Sequence, residues 1–426
     1  MCSSDLLLLF HDECGVVGIY HPDKEKNVSS YLYYGLFALQ HRGQESAGIA
    51  VSRNKKINLY KDDGLVSDVF KGSQLKKLKG NVGIGHVRYP TSGGRGVVNS
   101  QPLFVNIKNL DIALAHNGNL INDQALREML EDSGVVFQTT IDTEVMVDIL
   151  ARGLRHGLVE SIQRMVEIIK GAYALVIMMD DKLIGVRDPF GIRPICIGKK
   201  DDMYVLASES CAIDAIGGKL IRDMDPGEIV VIDENGLTSY GQNNWVGKRA
   251  CIFEQIYFAR PDSIMENRSV YQARHTAGRI LAQESPVEAD VVIGVPDSGI
   301  PAAVGYAEES GIPYGVGLIK NKYSGRTFIQ PNQTMREEGV RLKLNPLRET
   351  IEGKRVIVID DSIVRGTTSK RLVAILRDGG AKEVHFRVSS PPVTHTCHFG
   401  IDTPRRKFLI GAKKSVEEIR EILGAD

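Results

Sequence analysis

Two adjacent carboxylates, Asp360 and Asp361, close the apolar run 356–359 and are followed by Ser362, Arg365, Gly366, Thr367 and Thr368. A buried strand that ends in a Gly-containing loop and continues into a helix aims successive backbone N–H groups at one point. The helix dipole favours an anion there. Gly366 permits close approach, Thr367 and Thr368 add hydroxyl donors, and the two acids suit sugar hydroxyls or Mg2+. A plain helix cap needs only one Asp or Thr, whereas two acids at a buried strand end are costly without a ligand or metal. Nucleoside triphosphate hydrolysis is disfavoured, because G-x-x-x-x-G-K-[ST] does not occur in the chain.

A second set of reactive residues lies in the first half. Cys14 offers a thiol nucleophile, and Asn117 with Gly118 offers a side-chain amide and a backbone N–H to a developing oxyanion. Arg88 matches a carboxylate through a bidentate pair, and Asp142 matches an amino group. Each also has an ordinary structural explanation. An isolated cysteine is a small buried hydrophobe, Asn-Gly is a hairpin turn, and Asp142 caps a helix at Thr143. Ser298, in 291–301 (VVIGVPDSGIP), reads equally as a turn residue. The polar, cationic stretch 321–336 has the composition of a lid that closes over a polyanion. Around it, Lys320, Lys322, Arg326, Arg336 and Lys343 are candidate phosphate ligands, each as readily a solvated charge.

The elements that must position these groups fall into two patterns. Before Trp245, strands are expected at 16–20, 48–51, 82–86, 112–116, 173–179, 195–198 and 204–208, with helices at 28–40, 123–132 and 143–155. Strands and helices in blocks point to a layered α+β domain. After Trp245, compact β-branched runs at 289–295, 315–319, 355–359 and 383–388 are expected to form a parallel sheet covered on both faces, with helices at 301–310 and 368–378. The boundary is placed near residue 245, in the polar turn-rich stretch 241–247.

Bulk properties bound the function. At ~150 residues per domain, 426 residues make two or three domains. With 53 basic and 53 acidic residues there is no polycationic surface for nucleic acid. No run approaches the ~20 apolar residues of a membrane span, and the leucines at 6–9 lack the basic flank of a secretion signal. Six cysteines at irregular spacing suit a reducing cytoplasm.

Residues 41–51 (HRGQESAGIAV), 85–93 (GHVRYPTSG), 115–120 (AHNGNL) and 142–146 (DTEVM), with Cys14-Gly-Val-Val-Gly, resemble the N-terminal-nucleophile glutamine amidotransferases. Residues 356–371 (VIVIDDSIVRGTTSKR) resemble the phosphoribosyl pyrophosphate signature of type I phosphoribosyltransferases. In this order, from residue 11 to the end, the chain resembles the amidophosphoribosyltransferase family. That resemblance implies a propeptide at 1–13, an αββα N-terminal-nucleophile glutaminase at 14–245, and an α/β type I phosphoribosyltransferase with a parallel doubly wound sheet at 246–426. The implied reaction is glutamine-dependent amination of phosphoribosyl pyrophosphate to 5-phosphoribosylamine, the opening step of purine synthesis.

Residue roles follow from the same resemblance. Cys14, freed of its leader, uses its own α-amino group as base, Asn117 and Gly118 hold the oxyanion, and Arg88 and Asp142 bind glutamine. Asp360, Asp361, Ser362, Arg365, Gly366, Thr367, Thr368, Arg326 and Lys343 bind the phosphoribosyl group, with Ser298, Asp360 and Asp361 at Mg2+. His41 and His86 are expected to support the fold. Tyr257 and Phe258, in 251–263, are candidates for lining the ammonia passage between domains. A homotetramer, purine nucleotide feedback inhibitors and a cytoplasmic location are implied as well.

In one branch of the family, cysteines matching Cys251 and Cys397 bind a 4Fe-4S cluster with a C-x-x-C pair near the carboxyl terminus. No C-x-x-C occurs in this chain, so the remaining two ligands are expected beyond Asp426 of a longer sequence; otherwise the two cysteines are relics. Two other functions fit less well. A sugar-phosphate aminating enzyme would carry an isomerase domain in place of the Asp360–Asp361 loop. A non-catalytic phosphoribosyl-binding regulator would have no use for Cys14, Arg88 and Asn117.

Overall fold

The computed structural model describes residues 14–89, 94, 96–107, 109–241, 247–321, 344–401, 403 and 405–426. The leader at 1–13, the boundary at Trp245 and the candidate ligands Lys322, Arg326, Arg336 and Lys343 lie outside the described residues.

The first half contributes thirteen strands: β1 (Gly15–Tyr20), β2 (Ser46–Arg53), β3 (Lys56–Asp63), β4 (Val82–Arg88), β5 (Leu103–Ile107), β6 (Leu110–Leu120), β7 (Gly171–Met179), β8 (Lys182–Arg187), β9 (Cys196–Lys200), β10 (Met203–Ala207), β11 (Lys219–Asp223), β12 (Ile229–Asp233) and β13 (Gly236–Tyr240). They form a seven-stranded sheet in the order β11-β9-β10-β1-β4-β2-β3 and a six-stranded sheet in the order β13-β12-β8-β7-β6-β5, antiparallel throughout.

Side-chain alternation along each strand builds four layers. Val16, Ile84 and Leu206 of the first sheet meet Ala113, Ala115 and Val176 of the second between the sheets. On its other face, the first sheet packs Val17 and Val87 against Leu32 and Leu36 of the helix Ser29–Ala38. The second sheet packs Leu114 and Leu175 against Val145 and Ile162, from the helices Asp142–Gly153 and Leu158–Ile168. The expected αββα arrangement is present.

Beyond a short hairpin of β14 (Ile264–Met265) and β15 (Arg268–Ser269), the second half holds β16 (Val291–Gly294), β17 (Leu318–Lys320), β18 (Leu344–Pro346), β19 (Arg355–Asp360) and β20 (Glu383–Val388). The strands β16, β19 and β20 pair in parallel. One face of this sheet, Val292, Ile357 and Ile359, is covered by Ala282 and Tyr306 of the helices Val270–Glu284 and Ile300–Ser310. The other, Ile293, Val356 and Val358, is covered by Leu372, Leu376 and Ile419 of the helices Thr367–Asp378 and Val416–Leu423. Burial on both faces explains the nearly unbroken apolar runs.

One expected strand of this sheet takes a different course. The segment at 315–319 does not run alongside β16: Tyr314 makes one parallel bridge to Val292, and Leu318–Lys320 then pairs antiparallel with Leu344–Pro346. A Cβ at Gly317 would stand 2.7 Å from Ile293 side-chain atoms, so the glycine lets the chain cross closely over β16 and turn away.

Candidate active sites

Strand phase brings the first-half candidates together. Cys14 precedes β1 on the same side as Val16, and His86 and Arg88 follow Ile84 on the inner face of β4. Asn117 follows Ala113 and Ala115 on the inner face of β6, so thiol, guanidinium and amide converge at one end of the inter-sheet layer. In the ladder Gly15 pairs with Val87, which sets Cys14 beside Arg88 and Tyr89. The Cys14 thiol lies 3.5 Å from the Tyr89 carbonyl oxygen.

Burial pushes this thiol up to about 11, while the Tyr89 contact and the Arg88 charge pull it back. At neutral pH it therefore carries its proton, and attack requires a base at the sulfur. Asp142 and Glu45 also act electrostatically on the thiol, which places all the ionic candidates around one centre.

Arg88 is buried and donates to Glu45 Oε2 at 3.1 Å and to the Gly94 carbonyl at 3.3 Å. Asn117 is fully buried, and among the described residues neither its amide nitrogen nor its oxygen has a hydrogen-bond partner. A wasted buried amide is costly, so this one is poised for a ligand atom. Gly118 follows at φ +146°, where a side chain would collide with the Ala172 carbonyl oxygen. The Asn-Gly pair is therefore part of a strand, and the hairpin-turn alternative is excluded.

Asp142 opens its helix from inside the first turn, with Ile141 as the cap. One carboxylate oxygen lies 3.3 Å from His116 Nδ1, and the other accepts the Leu120 N–H at 3.0 Å. Burial opposes ionisation, but His116 and the N–H groups of Leu120 and Thr143 hold this carboxyl below its ordinary value. It is an anion at neutral pH. His86, in contrast, is pushed down to about 3 by burial and donates from Nε2 to the His116 carbonyl at 3.1 Å; it is a neutral structural group, as expected.

In the second half, Asp360, Asp361, Ser362, Arg365, Gly366, Thr367 and Thr368 line one pocket together with Tyr257. Gly366 caps the helix at φ +80°, which frees the first helical N–H groups to face the pocket. Ser298 reaches across from the loop after β16 and donates to Asp361 at 2.6 Å. Gly299 packs against the Ile359 carbonyl, too tightly for a Cβ, which holds that loop on the end of β19. Lys320 pairs with Asp297 of the same loop.

Tyr257 belongs to the pocket, although sequence reasoning assigned it only to the domain junction. Its position in the segment after the boundary was the available signal. His116 and Glu45 were also missed as partners of Asp142 and Arg88, though both lie within the motifs quoted.

Family models match parts of both halves of the chain. A glutamine amidotransferase domain family matches residues 96–215, and a phosphoribosyl transferase domain family matches residues 262–390. The amidophosphoribosyltransferase of Bacillus subtilis (strain 168) is 50% identical over 417 residues, 98% of this chain and 87% of that protein. That of Archaeoglobus fulgidus is 52% identical over 415 residues, 97% of this chain and 90% of its own length. The chain belongs to the amidophosphoribosyltransferase family.

A solved structure described as the allosteric regulatory enzyme of purine biosynthesis superposes with a TM-score of 0.92 at 50% identity, covering 97% of this chain and 88% of its own. Another, the B. subtilis amidotransferase complexed with ADP and GMP, superposes with a TM-score of 0.91 at 49% identity over 97% of this chain and 90% of its own.

Membership of the amidophosphoribosyltransferase family raises the question of metals. Burial and the neighbouring Asp361 push the Asp360 carboxyl well above its usual range, and burial raises Asp361 despite donors from Ser298 and Ser362. Two buried oxygen acids that resist joint ionisation fit a hard divalent cation. Among the described residues no group of three or more His, Cys, Asp or Glu side chains is arranged to hold a metal ion, so further ligands would come from phosphate oxygens and water.

The iron-sulfur expectation concerns two further cysteines. Cys251 and Cys397 pack against one apolar cluster with Phe258 and Leu409, so the structure brings them to the same region. Cys196 and Cys211 are buried in the first half, where their thiols approach the Ala207 carbonyl and Glu209. Among the described residues, two of the four thiolates that a 4Fe-4S cluster needs, Cys251 and Cys397, are therefore brought to one region.

Proposed function

We infer that Cys14 and the Asp360–Asp361 pocket divide one reaction between them. As an amidophosphoribosyltransferase, the chain aminates 5-phosphoribosyl 1-pyrophosphate with the amide nitrogen of glutamine. It releases 5-phosphoribosylamine, glutamate and pyrophosphate, the first step of purine synthesis. The carrying observation is the convergence of Cys14, Arg88, Asn117 and Asp142 at one end of the inter-sheet layer.

The glutamine α-carboxylate pairs with Arg88 and its α-amino group with Asp142. The thiol attacks the carboxamide carbon, and the oxyanion is held by the Asn117 side chain and the Gly118 N–H. With residues 1–13 removed, the Cys14 α-amine takes the thiol proton and returns one to the leaving ammonia. Ammonia then attacks C1 of the ribose as pyrophosphate departs. Water hydrolyses the γ-glutamyl thioester, which releases glutamate and restores the Cys14 thiol. A closed passage between the two centres keeps the ammonia out of bulk solvent until it reaches C1.

Asp360, Asp361 and Ser298 would hold Mg2+, which neutralises pyrophosphate charge, while Ser362, Arg365, Gly366, Thr367 and Thr368 cradle the phosphate groups. Arg326 and Lys343 are assigned to the same substrate by the family resemblance. On this reading the two activities meet near residue 245, where the sequence turns polar. Purine nucleotide inhibition, a homotetrameric assembly and a cytoplasmic setting complete the reading. The nucleotide-bound relative supports the first of these.

The test is Cys14→Ala assayed with glutamine and with ammonia. Glutamine-dependent synthesis should vanish and ammonia-dependent synthesis persist; equal loss of both would overturn the assignment. The mass of the purified chain decides whether residues 1–13 have been removed.

A further inference from the structure

Glu254 opens the turn Glu254–Phe258 in the second half, yet its carboxylate is buried against two arginines of the first. Arg42 donates from Nη2 to Glu254 Oε2 and from Nη1 to Oε1 at 3.4 Å, while its Nε donates to Glu209. Arg193 Nη1 lies 3.7 Å from Glu254 Oε1. Arg42 and Arg193 are each 1% exposed and Glu209 is 1% exposed, so two cations and two anions balance inside the protein. Such an ensemble tolerates little displacement, because moving one member strands the others in a low-dielectric interior.

Each end of this ensemble touches an active site. On the acceptor side, the Glu254 turn carries Tyr257, a wall of the pocket that contains Asp360 and Asp361. The turn is fixed to the second unit by Arg274, which donates to the carbonyls of Gln255 and Ala259, both at 2.8 Å. On the glutaminase side, Arg193 Nη2 donates to the Phe399 carbonyl. The next residue, Gly400, has φ +111°, and a Cβ there would lie 3.3 Å from the Gly118 carbonyl carbon. Asn119 meanwhile donates to the His398 carbonyl at 3.2 Å. The oxyanion strand and the acceptor pocket are thus joined through one carboxylate, by hydrogen bonds and direct packing.

We propose that Glu254 is a positioning residue that holds the Tyr257 turn in register with the Gly118 strand, and so sets how much of the ammonia released from glutamine is transferred to the acceptor. This rests on the two-site reading above. Glu254 touches neither substrate; it acts through Arg193 and through the turn it begins. A contiguous packed and hydrogen-bonded network between two sites is the kind of link that carries such coupling.

Glu254→Gln keeps the shape and removes the charge. With glutamine and phosphoribosyl pyrophosphate as substrates, the ratio of glutamate formed to pyrophosphate released should rise from near one to about three or more, while the ammonia-dependent rate stays within about twofold. Glu254→Asp should restore part of the transfer. If Glu254→Gln does not fold, Arg193→Lys, which keeps charge but loses the planar fork, should raise the same ratio. An unchanged ratio in a folded variant, or a parallel fall of both activities, overturns the proposal. Failure of the unmodified enzyme to use ammonia would overturn the two-site reading itself.

Discussion

Ser298 donates its hydroxyl to one oxygen of the Asp361 carboxylate at 2.6 Å, and Ser362 donates to the other. The loop after β16 and the loop after β19 are thereby joined at the acid that faces the phosphate pocket. Asp361 is oriented by neutral donors, and burial raises both carboxyls, that of Asp360 further because Asp361 lies beside it.

Removing this orienting bond has a specific cost. Ser298→Ala should raise the KM for phosphoribosyl pyrophosphate about tenfold to a hundredfold, the loss of one hydrogen bond to a charged group, with less effect on kcat for ammonia. Glutaminase activity at Cys14 should be untouched. A KM that does not move at limiting Mg2+ would remove Ser298 from the site.

Metal dependence should follow the sign of the Asp360 shift. Its folded carboxyl is raised, so the fold holds this proton more tightly than the unfolded chain does. The corresponding stabilisation is complete below the ordinary carboxylate range and is lost as pH rises through the folded value. Mg2+ competes with that proton for the same oxygens. The rise in Tm on adding Mg2+ should therefore be larger at about pH 8 than at about pH 6. Asp360→Asn with Asp361→Asn should raise the metal-free Tm, abolish the Mg2+ increment and eliminate amination from ammonia. A Tm increment independent of pH would contradict this account.

The legible part of the molecule was chemistry tied to local strand phase. Cys14, Arg88 and Asn117 share the inner-face phase of Val16, Ile84 and Ala115, and the apolar run before Asp360 marks a doubly covered strand. What escaped were the strands β3, β5, β8 and β11 to β13, and two helices, Leu158–Ile168, whose apolar residues do fall on one face, and Val270–Glu284. The last carries Arg274, whose role depends on carbonyls fifteen or nineteen positions away. Glu254 was equally opaque, since an acid between aromatics shows nothing of its partner 212 residues upstream. Gly315 and Gly317 misled because a β-branched run suggests a strand, whereas the glycines serve a crossing.

Asn117 supplies the prediction most easily separated from folding. Its side chain is buried and unpartnered before substrate binds, so Asn117→Ala removes no hydrogen bond of the resting protein. Stability should change only by the small cavity, while glutamine-dependent kcat falls about 10²- to 10³-fold, the usual loss for one oxyanion donor. Ammonia-dependent synthesis should persist. A glutaminase rate within about threefold of the unmodified enzyme would mean the oxyanion lies elsewhere.

Asp142 combines both effects and can be split by two measurements. Its carboxyl is held below the ordinary range by His116, Leu120 and Thr143, against burial. Its contribution to stability is therefore present above the unfolded carboxylate pKa and is lost as pH falls through the depressed folded value. Asp142→Asn should flatten this acid limb of the unfolding profile, because the amide no longer titrates. If the carboxylate also receives the glutamine α-amino group, the KM for glutamine should rise about ten- to hundredfold with a smaller change in kcat, as expected for lost uniform binding of a charged partner. A flattened acid limb with an unchanged KM would leave Asp142 as a helix-start residue alone and place the amino-group contact on another side chain.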